Sequence, residues 1–184
     1  MPLHSIKVLF FATLFSTSLY AQESKLDFND QGLLANTEVP KMYANKDTIT
    51  FEYQSITVRK VNNNKGDAGQ WIQLTNKRNS IELTDEAAYF IGVVGNLVLI
   101  DIGTSNVRDI KAYDVQSMNE AFSYTYYGAL QLKGSMLKFK TDPEDENTSF
   151  QCKSEDDIPV QQISINTKTQ KAIYSTKIDC IYAE

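Results

Sequence analysis

An apolar run that ends in an aspartate and a polar turn is the stretch of this sequence best suited to chemistry. It reads LVLIDIGTSNVRDI and covers residues 97–110. A carboxylate at Asp101 would serve as a general acid, a general base or a nucleophile. The alternative is structural, because an aspartate that ends a buried strand accepts backbone N–H bonds in an Asx turn, and Gly103 supplies a permissive φ. We favour the structural interpretation and expect Arg108 to pair with Asp101 or Asp114.

The same stretch resembles motifs of three protein families. D-I-G-T-S-N at residues 101–106 resembles the D-T-G-S-S-N core of pepsin-like and retroviral aspartic proteases, which implies a catalytic Asp101 and needs a second carboxylate about 3 Å away. Residues 100–114 resemble the hairpin of actin-like ATPases and sugar kinases, in which Asp101 would orient a metal and the Gly103–Ser105 amides would cradle phosphate. L-x-D-x-G-T-S followed by V-R-x-I-x-A-Y-D is similar to hairpins of uncharacterised exported bacterial β proteins. That last resemblance implies an exported β protein and carries no known activity.

The histidine count restricts the available mechanisms. The one histidine is His4, which lies in the segment expected to be cleaved. The remaining chain therefore has no Ser-His-Asp triad, no Cys-His nucleophile and no His-ligated zinc. Carboxylate, lysine and tyrosine remain for acid–base work. An enzyme is the less favoured class, and a carboxylate-dependent hydrolase using Asp101 is kept as an alternative.

An acidic loop is the second candidate site. Residues 142–157 contain seven carboxylates and one lysine. Such a loop has the oxygen ligands that Ca²⁺ prefers, but the EF-hand spacing and its central glycine are absent, so no cofactor is expected. We interpret the loop as a solvated surface on which Glu144, Asp145 and Glu146 attract a cationic protein partner.

An aromatic cluster is the third candidate. Phe122, Tyr124 and Tyr126 alternate in FSYTYYG, so they share one face of a strand. A face of this kind is more often core than surface. If it were open, Tyr124 and Tyr126 would form a carbohydrate-binding platform or a protein contact, which is a second alternative.

The two cysteines predict a structural disulfide. Cys152 and Cys180 are the only cysteines, and their spacing is too wide for a redox-active C-x-x-C pair. In an oxidising compartment they are expected to bond to each other, with a stabilisation of about 3.5 kcal/mol from the chain-entropy estimate.

The secondary-structure elements expected to position these residues are mainly strands. Runs rich in β-branched and aromatic residues predict strands at Ile49–Val61, Trp71–Lys77, Ser80–Asp85, Tyr89–Val94 and Asn96–Ile102. Leu97–Ile102 is apolar on both faces, which predicts a central strand covered on both sides. Ile110–Tyr124 and Ile163–Ser175 each predict a hairpin like the outer hairpin of a propeller blade. No helical apolar stripe is present, and at most a short helical turn is expected near Thr84–Ala88.

The expected fold is all-β and mainly antiparallel: a single-domain β-sandwich or small barrel, with a partial blade-like sheet as a variant. Residues 1–21 have a lysine, a short apolar stretch and a terminal Ala21, which predicts a signal peptide cleaved near that alanine. Residues 22–46 are expected to form a lead-in segment and residues 47–184 the β domain.

The net charge and the predicted N-terminal signal peptide together predict an exported protein, periplasmic or secreted. The formal net charge is −5, and the predicted cleavage would make it one unit more negative by removing Lys7. An acidic chain argues against nucleic acid as a partner, and no segment after the signal is long and apolar enough to span a membrane. The predicted function is binding, as an inhibitor, an immunity-like protein or an envelope accessory protein.

Overall fold

Two antiparallel sheets make up the described part of the chain, which in this computed structural model comprises residues 33–62, 69–84, 87–144 and 150–182. The predicted signal peptide lies outside these residues. The first sheet contains five strands in chain order: β1 (Lys41–Asn45), β2 (Thr48–Glu52), β3 (Thr57–Asn62), β4 (Gln70–Thr75) and β5 (Ser80–Leu83). The prediction of an all-β, antiparallel fold is confirmed.

The second sheet contains the other seven strands, again each beside its neighbour in sequence. They are β6 (Ala88–Val94), β7 (Leu97–Ile102), β8 (Val107–Asp114), β9 (Glu120–Lys133), β10 (Met136–Thr141), β11 (Asp157–Asn166) and β12 (Lys171–Tyr182). The two sheets are open, so of the expected alternatives the barrel does not form. The described residues include no helix, and none of them forms one able to cross a membrane.

Strand β7 is covered on both faces, as its apolar run predicts. Val98 and Ile100 pack with residues of the first sheet, such as Phe51, in one hydrophobic cluster. Leu97 and Leu99 point the opposite way into a second cluster along the second sheet. Strand β6 also contributes to both clusters, with Phe90 packed on Phe51 at 5.0 Å between ring centroids. Burial of both faces of these strands stabilises the fold through the hydrophobic effect.

The predicted run Ile49–Val61 is a hairpin, not one strand. The Tyr53 amide donates to the Ile56 carbonyl at 2.9 Å, which closes a turn between β2 and β3. Phe51 and Tyr53 are buried on one side of the turn, and Ile56 and Val58 on the other. The buried positions change from odd to even numbers across the turn, and this change of parity is a sequence signal for it.

Strand β1 lies within the predicted lead-in segment, where no strand was expected. It is an edge strand of the first sheet, and Met42 is its only residue that is not exposed. A strand with so little burial has no apolar alternation, which is why its sequence gives no strand signal. The predicted helical turn near Thr84–Ala88 includes residues 85–86, which lie outside the described residues.

A disulfide joins Cys152 to Cys180, as predicted, with a Cα–Cα distance of 5.9 Å. Cys180 lies in β12, which is an edge strand of the second sheet. The bond therefore ties the segment before β11 to the end of the sheet.

Candidate functional site

Asp101 lies inside β7, and its carboxylate is held by one side chain from the adjacent strand β8 and one from β9 beyond it. Asp101 pairs in the sheet with Tyr89 on β6 and Ile110 on β8, and it is only 6% exposed. The Tyr126 hydroxyl on β9 donates to Oδ1 at 2.9 Å, and the Arg108 guanidinium contacts Oδ2 at 2.5 Å. We call these three residues, Asp101, Arg108 and Tyr126, the Asp101 cluster.

The expected Asx turn at Asp101 is not what the structure contains. Asp101 sits within the ladder rather than after it, so its side chain points along the buried face instead of back to its own turn. Asp114 makes the Asx-type turn instead, accepting from the amides of Gln116 and Ser117 at 3.0 and 2.8 Å. Of the two partners expected for Arg108, the structure selects Asp101.

Burial and hydrogen bonding shift the pKa of Asp101 in opposite directions. Desolvation raises the pKa of Asp101, whereas the Tyr126 hydrogen bond and the Arg108 charge oppose that rise. Desolvation and the bonded carboxylate also raise the pKa of Tyr126. Arg108 lies over the Tyr89 ring with its Cζ 5.4 Å from the ring centroid. The cluster is thus a partly buried ion pair whose acid has both oxygens occupied.

A cavity of about 380 Å³ adjoins this cluster. Its lining includes Gln70, Tyr89, Asp101, Thr104 and Arg108. Asp101 is the one carboxylate among the described lining residues, so the pair of acids that aspartic-protease chemistry requires is not assembled there. The Gly103 amide, which the actin-like resemblance assigns to phosphate, donates to the Ala87 carbonyl at 2.9 Å.

The aromatic cluster packs on the inner face of the second sheet. Tyr126 is 3% exposed, while Phe122 and Tyr124 are half-buried against the second hydrophobic cluster. The ring of Tyr124 is 5.9 Å from Phe122 and 5.9 Å from Phe139, measured between centroids. The ring of Tyr126 therefore offers no face for stacking a ligand.

Glu144 is the one predicted acidic-loop site residue that the structure describes. It is exposed, and its amide donates to the Gln161 Oε1 at 2.9 Å. Asp145 and Glu146 lie outside the described residues. No cluster of three metal-ligating side chains occurs in the described part of the chain.

The sequence interpretation missed a groove on the opposite face of the second sheet, which we call the outer groove. It has a volume of about 480 Å³, a size typical of small-molecule and peptide sites. The residues with side chains that line it are aliphatic, aromatic, amide and ammonium in type: Asn106, Val107, Tyr127, Ala129, Gln131, Lys138, Phe139, Lys140, Ile158, Gln162, Ile181 and Tyr182.

Two lysines give the outer groove its charge. Lys138 and Lys140 alternate with buried Leu137 and Phe139 on β10, so both ammonium groups are on the outer face. Residues two apart on a strand are separated by roughly 7 Å. No carboxylate is among the described residues that line the groove. The groove is therefore cationic although the whole chain is acidic.

Nearby carboxylates outside the groove have other partners. Asp142 accepts a hydrogen bond of 2.6 Å from the Tyr127 hydroxyl. Asp179 on β12 pairs with Lys177 at 2.5 Å, and this bond lowers the pKa of Asp179 more than the weaker influence of Lys140 does. Asp142 keeps its negative charge, because the Tyr127 hydroxyl is neutral, and it lies at the groove margin, since Tyr127 lines the groove. One carboxylate there is outnumbered by the two groove lysines.

An irregularity in β9 shapes the groove. The pairing of β9 with β10 shifts between Gln131 opposite Lys138 and Tyr127 opposite Lys140, which leaves extra β9 residues in between. Gly128, in this bulge, has a φ of +78°, a conformation that favours glycine. Bulges increase local twist, and here the bulge brings residues 128–129 to the groove.

Comparison with family models, with curated proteins and with solved structures found no match for this chain.

Proposed function

We propose that this protein is an exported binding domain that holds an acidic segment of a partner protein in the outer groove. The observation that carries the proposal is a groove containing Lys138 and Lys140, and no described carboxylate, in a chain of net charge −5. A cationic groove on an acidic protein favours a ligand whose negative charge complements the groove, although the protein as a whole would repel that charge.

The shape and polarity of the groove favour a polypeptide. Val107, Ile158 and Ile181 give it an aliphatic side, and Tyr182, which is 65% exposed, lies at its margin. Gln131 offers an amide group to a peptide backbone, whereas Gln162, whose Nε2 donates to the Phe139 and Ile163 carbonyls, offers its Oε1 as an acceptor. An extended segment that carries carboxylates two residues apart would match the roughly 7 Å spacing of the lysines.

Export is part of the proposal. The disulfide is compatible with an extracellular or periplasmic location, and the predicted signal peptide agrees with it. Within this class, an inhibitor, an immunity-like protein and an envelope accessory protein all act through such a surface.

The two alternative functions have less support. A hydrolase using Asp101 would need a free carboxylate, and both oxygens of Asp101 are occupied by Tyr126 and Arg108. A carbohydrate platform at Tyr124 and Tyr126 would need open ring faces, and Tyr126 is buried. A cationic partner at Glu144 and its neighbours remains a prediction that the same experiment tests.

The test is nuclear magnetic resonance mapping with two peptides of opposite charge. Oligoglutamate is expected to shift the backbone amides of Tyr127, Lys138, Lys140 and Gln162, with an effect that weakens as salt is added. Oligolysine is the comparison ligand, and it would shift the amides around Glu144 if the acidic loop were the binding surface. Shifts with oligolysine alone would overturn the proposal in favour of the acidic loop.

A further inference from the structure

Three turns surround a further cavity, which we call the turn cavity. They are the turns between β2 and β3, between β4 and β5, and between β8 and β9. The lining residues are Gln54, Ser55, Asn76, Lys77, Arg78, Val115 and Gln116. The cavity has a volume of about 310 Å³, which is typical of small-molecule sites, and it shares no lining residue with the outer groove.

Hydrogen bonds fix these turns relative to one another. The Asn76 Nδ2 of the first sheet donates to the carbonyls of Val115 and Gln116 at 2.7 and 3.0 Å, which joins the two sheets. The Asn76 Oδ1 accepts from the amides of Arg78 and Asn79, both at 2.8 Å. The 2.9 Å bond described above closes the turn between β2 and β3. A cavity held in this way is formed before a ligand arrives, which lowers the entropy cost of binding.

Hydrogen-bond donors dominate the turn cavity. Lys77 and Arg78 contribute an ammonium and a guanidinium, both of which only donate. Ser55 adds a hydroxyl, and Gln116 adds an amide. These four residues are exposed, so a ligand in the cavity can reach their side chains. Two backbone carbonyls of the lining already accept from Asn76. The ligand that fits such a set is one rich in acceptors.

The local charge of the turn cavity is positive. Among the described residues, none that lines it is a carboxylate, and no carboxylate pairs with Lys77 or Arg78. Asp114 lies at the start of the turn between β8 and β9, but its Oδ1 accepts from the amides of Gln116 and Ser117 within that turn. The two cations outnumber this one carboxylate, and the cavity therefore favours an anion.

We propose that the turn cavity is a second binding site, one that takes a tetrahedral oxyanion, the phosphate or sulfate group of a small molecule. The guanidinium of Arg78 matches two oxygens of such a group, and the ammonium of Lys77 adds a point charge. A tetrahedral group presents its oxygens in several directions, so the Ser55 hydroxyl on another turn can reach it at the same time. A planar carboxylate offers only two oxygens in one plane.

The experiment follows the backbone amides of Ser55, Lys77, Arg78 and Gln116 by nuclear magnetic resonance at constant ionic strength. The probes are inorganic phosphate, inorganic sulfate and, as the planar comparison, acetate. Phosphate and sulfate are expected to shift these amides until the site saturates, and acetate to bind more weakly. No saturable shift with either phosphate or sulfate, or acetate binding as tightly as they do, would overturn the inference.

A pair of charge-matched variants separates a site from attraction to net charge. Lys77→Gln with Arg78→Gln is expected to abolish the saturable shifts caused by sulfate. Lys168→Gln with Lys171→Gln removes the same charge from the exposed turn between β11 and β12, and is expected to leave sulfate affinity unchanged. Equal sulfate affinities in the two variants would contradict the site.

A third variant leaves the charge as it is. Ser55→Ala removes one donor from a different turn, so sulfate affinity is expected to fall about tenfold. Because Ser55 is exposed, the melting temperature is expected to stay the same. A stable Ser55→Ala protein that binds sulfate as tightly as the unchanged protein would mean that the donors of the three turns do not act together.

Two further comparisons identify the source of the oxyanion and keep this inference apart from the proposed function. Glucose 6-phosphate and phosphatidylcholine vesicles containing phosphatidate are compared with inorganic phosphate, and the tightest of the three identifies a soluble ester, a lipid headgroup or the free ion as the source. Lys138→Gln with Lys140→Gln alters only the outer groove, so sulfate affinity is expected to be unchanged. If this double variant lost the sulfate response, the anion would bind in the outer groove and the turn cavity would be rejected.

Discussion

Single residues decide what chemistry the Asp101 motif can support. Its sequence resembles catalytic and nucleotide-binding hairpins. The Asp101 carboxylate nevertheless accepts a hydrogen bond from the Tyr126 hydroxyl and pairs with the Arg108 guanidinium. The same sequence pattern thus encodes a buried ion pair between strands. Asp101 is therefore predicted to contribute to folding.

Replacing Asp101 tests this assignment. Asp101→Asn keeps an oxygen for Tyr126 but leaves Arg108 without its counter-charge, so we expect a loss of about 1–3 kcal/mol in the free energy of unfolding, reduced from the fully buried case because Arg108 is partly exposed. Tyr126→Phe removes one hydrogen bond and should cost about 1 kcal/mol. Urea denaturation measures both, and an Asp101→Asn protein as stable as the unchanged one would contradict the assignment.

Lys60 makes stability depend on pH. It is 5% exposed on the inner face of the first sheet, with its Nζ 5.4 Å from the centroid of the Phe51 ring, and desolvation lowers its pKa. The folded state therefore binds fewer protons than the unfolded state between the lowered value and the ordinary 10.5. By linkage, the Lys60 contribution to the free energy of unfolding rises with pH through that window.

A variant isolates this contribution. Lys60→Met has no titrating group, so the rise in unfolding free energy between neutral pH and about pH 10 is expected to be smaller in the variant than in the unchanged protein. Urea melts across that range provide the comparison. Equal pH slopes in the two proteins would show that Lys60 is not responsible.

At the scale of elements, the sequence predicts strands well and their boundaries less well. The Leu97–Ile102 strand and the hairpins at Ile110–Tyr124 and Ile163–Ser175 were predictable, because local apolar runs and turn residues specify them. Strand β1 was not predictable, since an exposed edge strand has no alternation to detect. The outer groove was half predictable, because Lys138 and Lys140 alternate with apolar residues, but its other wall comes from β11 and β12, which only the tertiary fold brings near.

Gly92 in β6 has a positive φ and lies close to the Thr37 side chain. Its φ is +139°, and a Cβ added there would lie 2.5 Å from the Thr37 side chain. Gly95, in the next turn, also has a positive φ of +57° but has nothing within 4 Å of an added Cβ. The two positions therefore differ both in steric contact and in backbone strain, because φ +57° lies in the left-handed region that other residues can enter and φ +139° lies outside it.

Alanine at these two positions is expected to differ in cost. Gly95→Ala should lose about 1–2 kcal/mol from the left-handed backbone alone. Gly92→Ala should lose more, by roughly 1–3 kcal/mol, because Thr37 must also move and the backbone lies outside the left-handed region. Thermal unfolding of the two variants gives the comparison, and equal losses would contradict the expected order.

At the scale of the whole molecule, the bond between Cys152 and Cys180 ties the last strand to the segment before β11. The bridge closes a loop of 28 residues in sequence separation, and β12, which it anchors, contributes Ile181 and Tyr182 to the outer groove. The double variant Cys152→Ser, Cys180→Ser is expected to lose about 3.5 kcal/mol of unfolding free energy. A urea midpoint unchanged in the variant would show that the fold secures β12 without the disulfide.

Binding of an acidic segment in the outer groove is the central claim, and the affinity of oligoglutamate for two charge-matched variants tests it most directly. Lys138→Gln with Lys140→Gln removes the groove charges, whereas Lys168→Gln with Lys171→Gln removes two exposed lysines at the turn between β11 and β12. Calorimetric titration is expected to show about tenfold weaker binding for the groove variant and little change for the turn variant. Equal affinities for the two variants would contradict the claim, because binding would then follow net charge and not the groove.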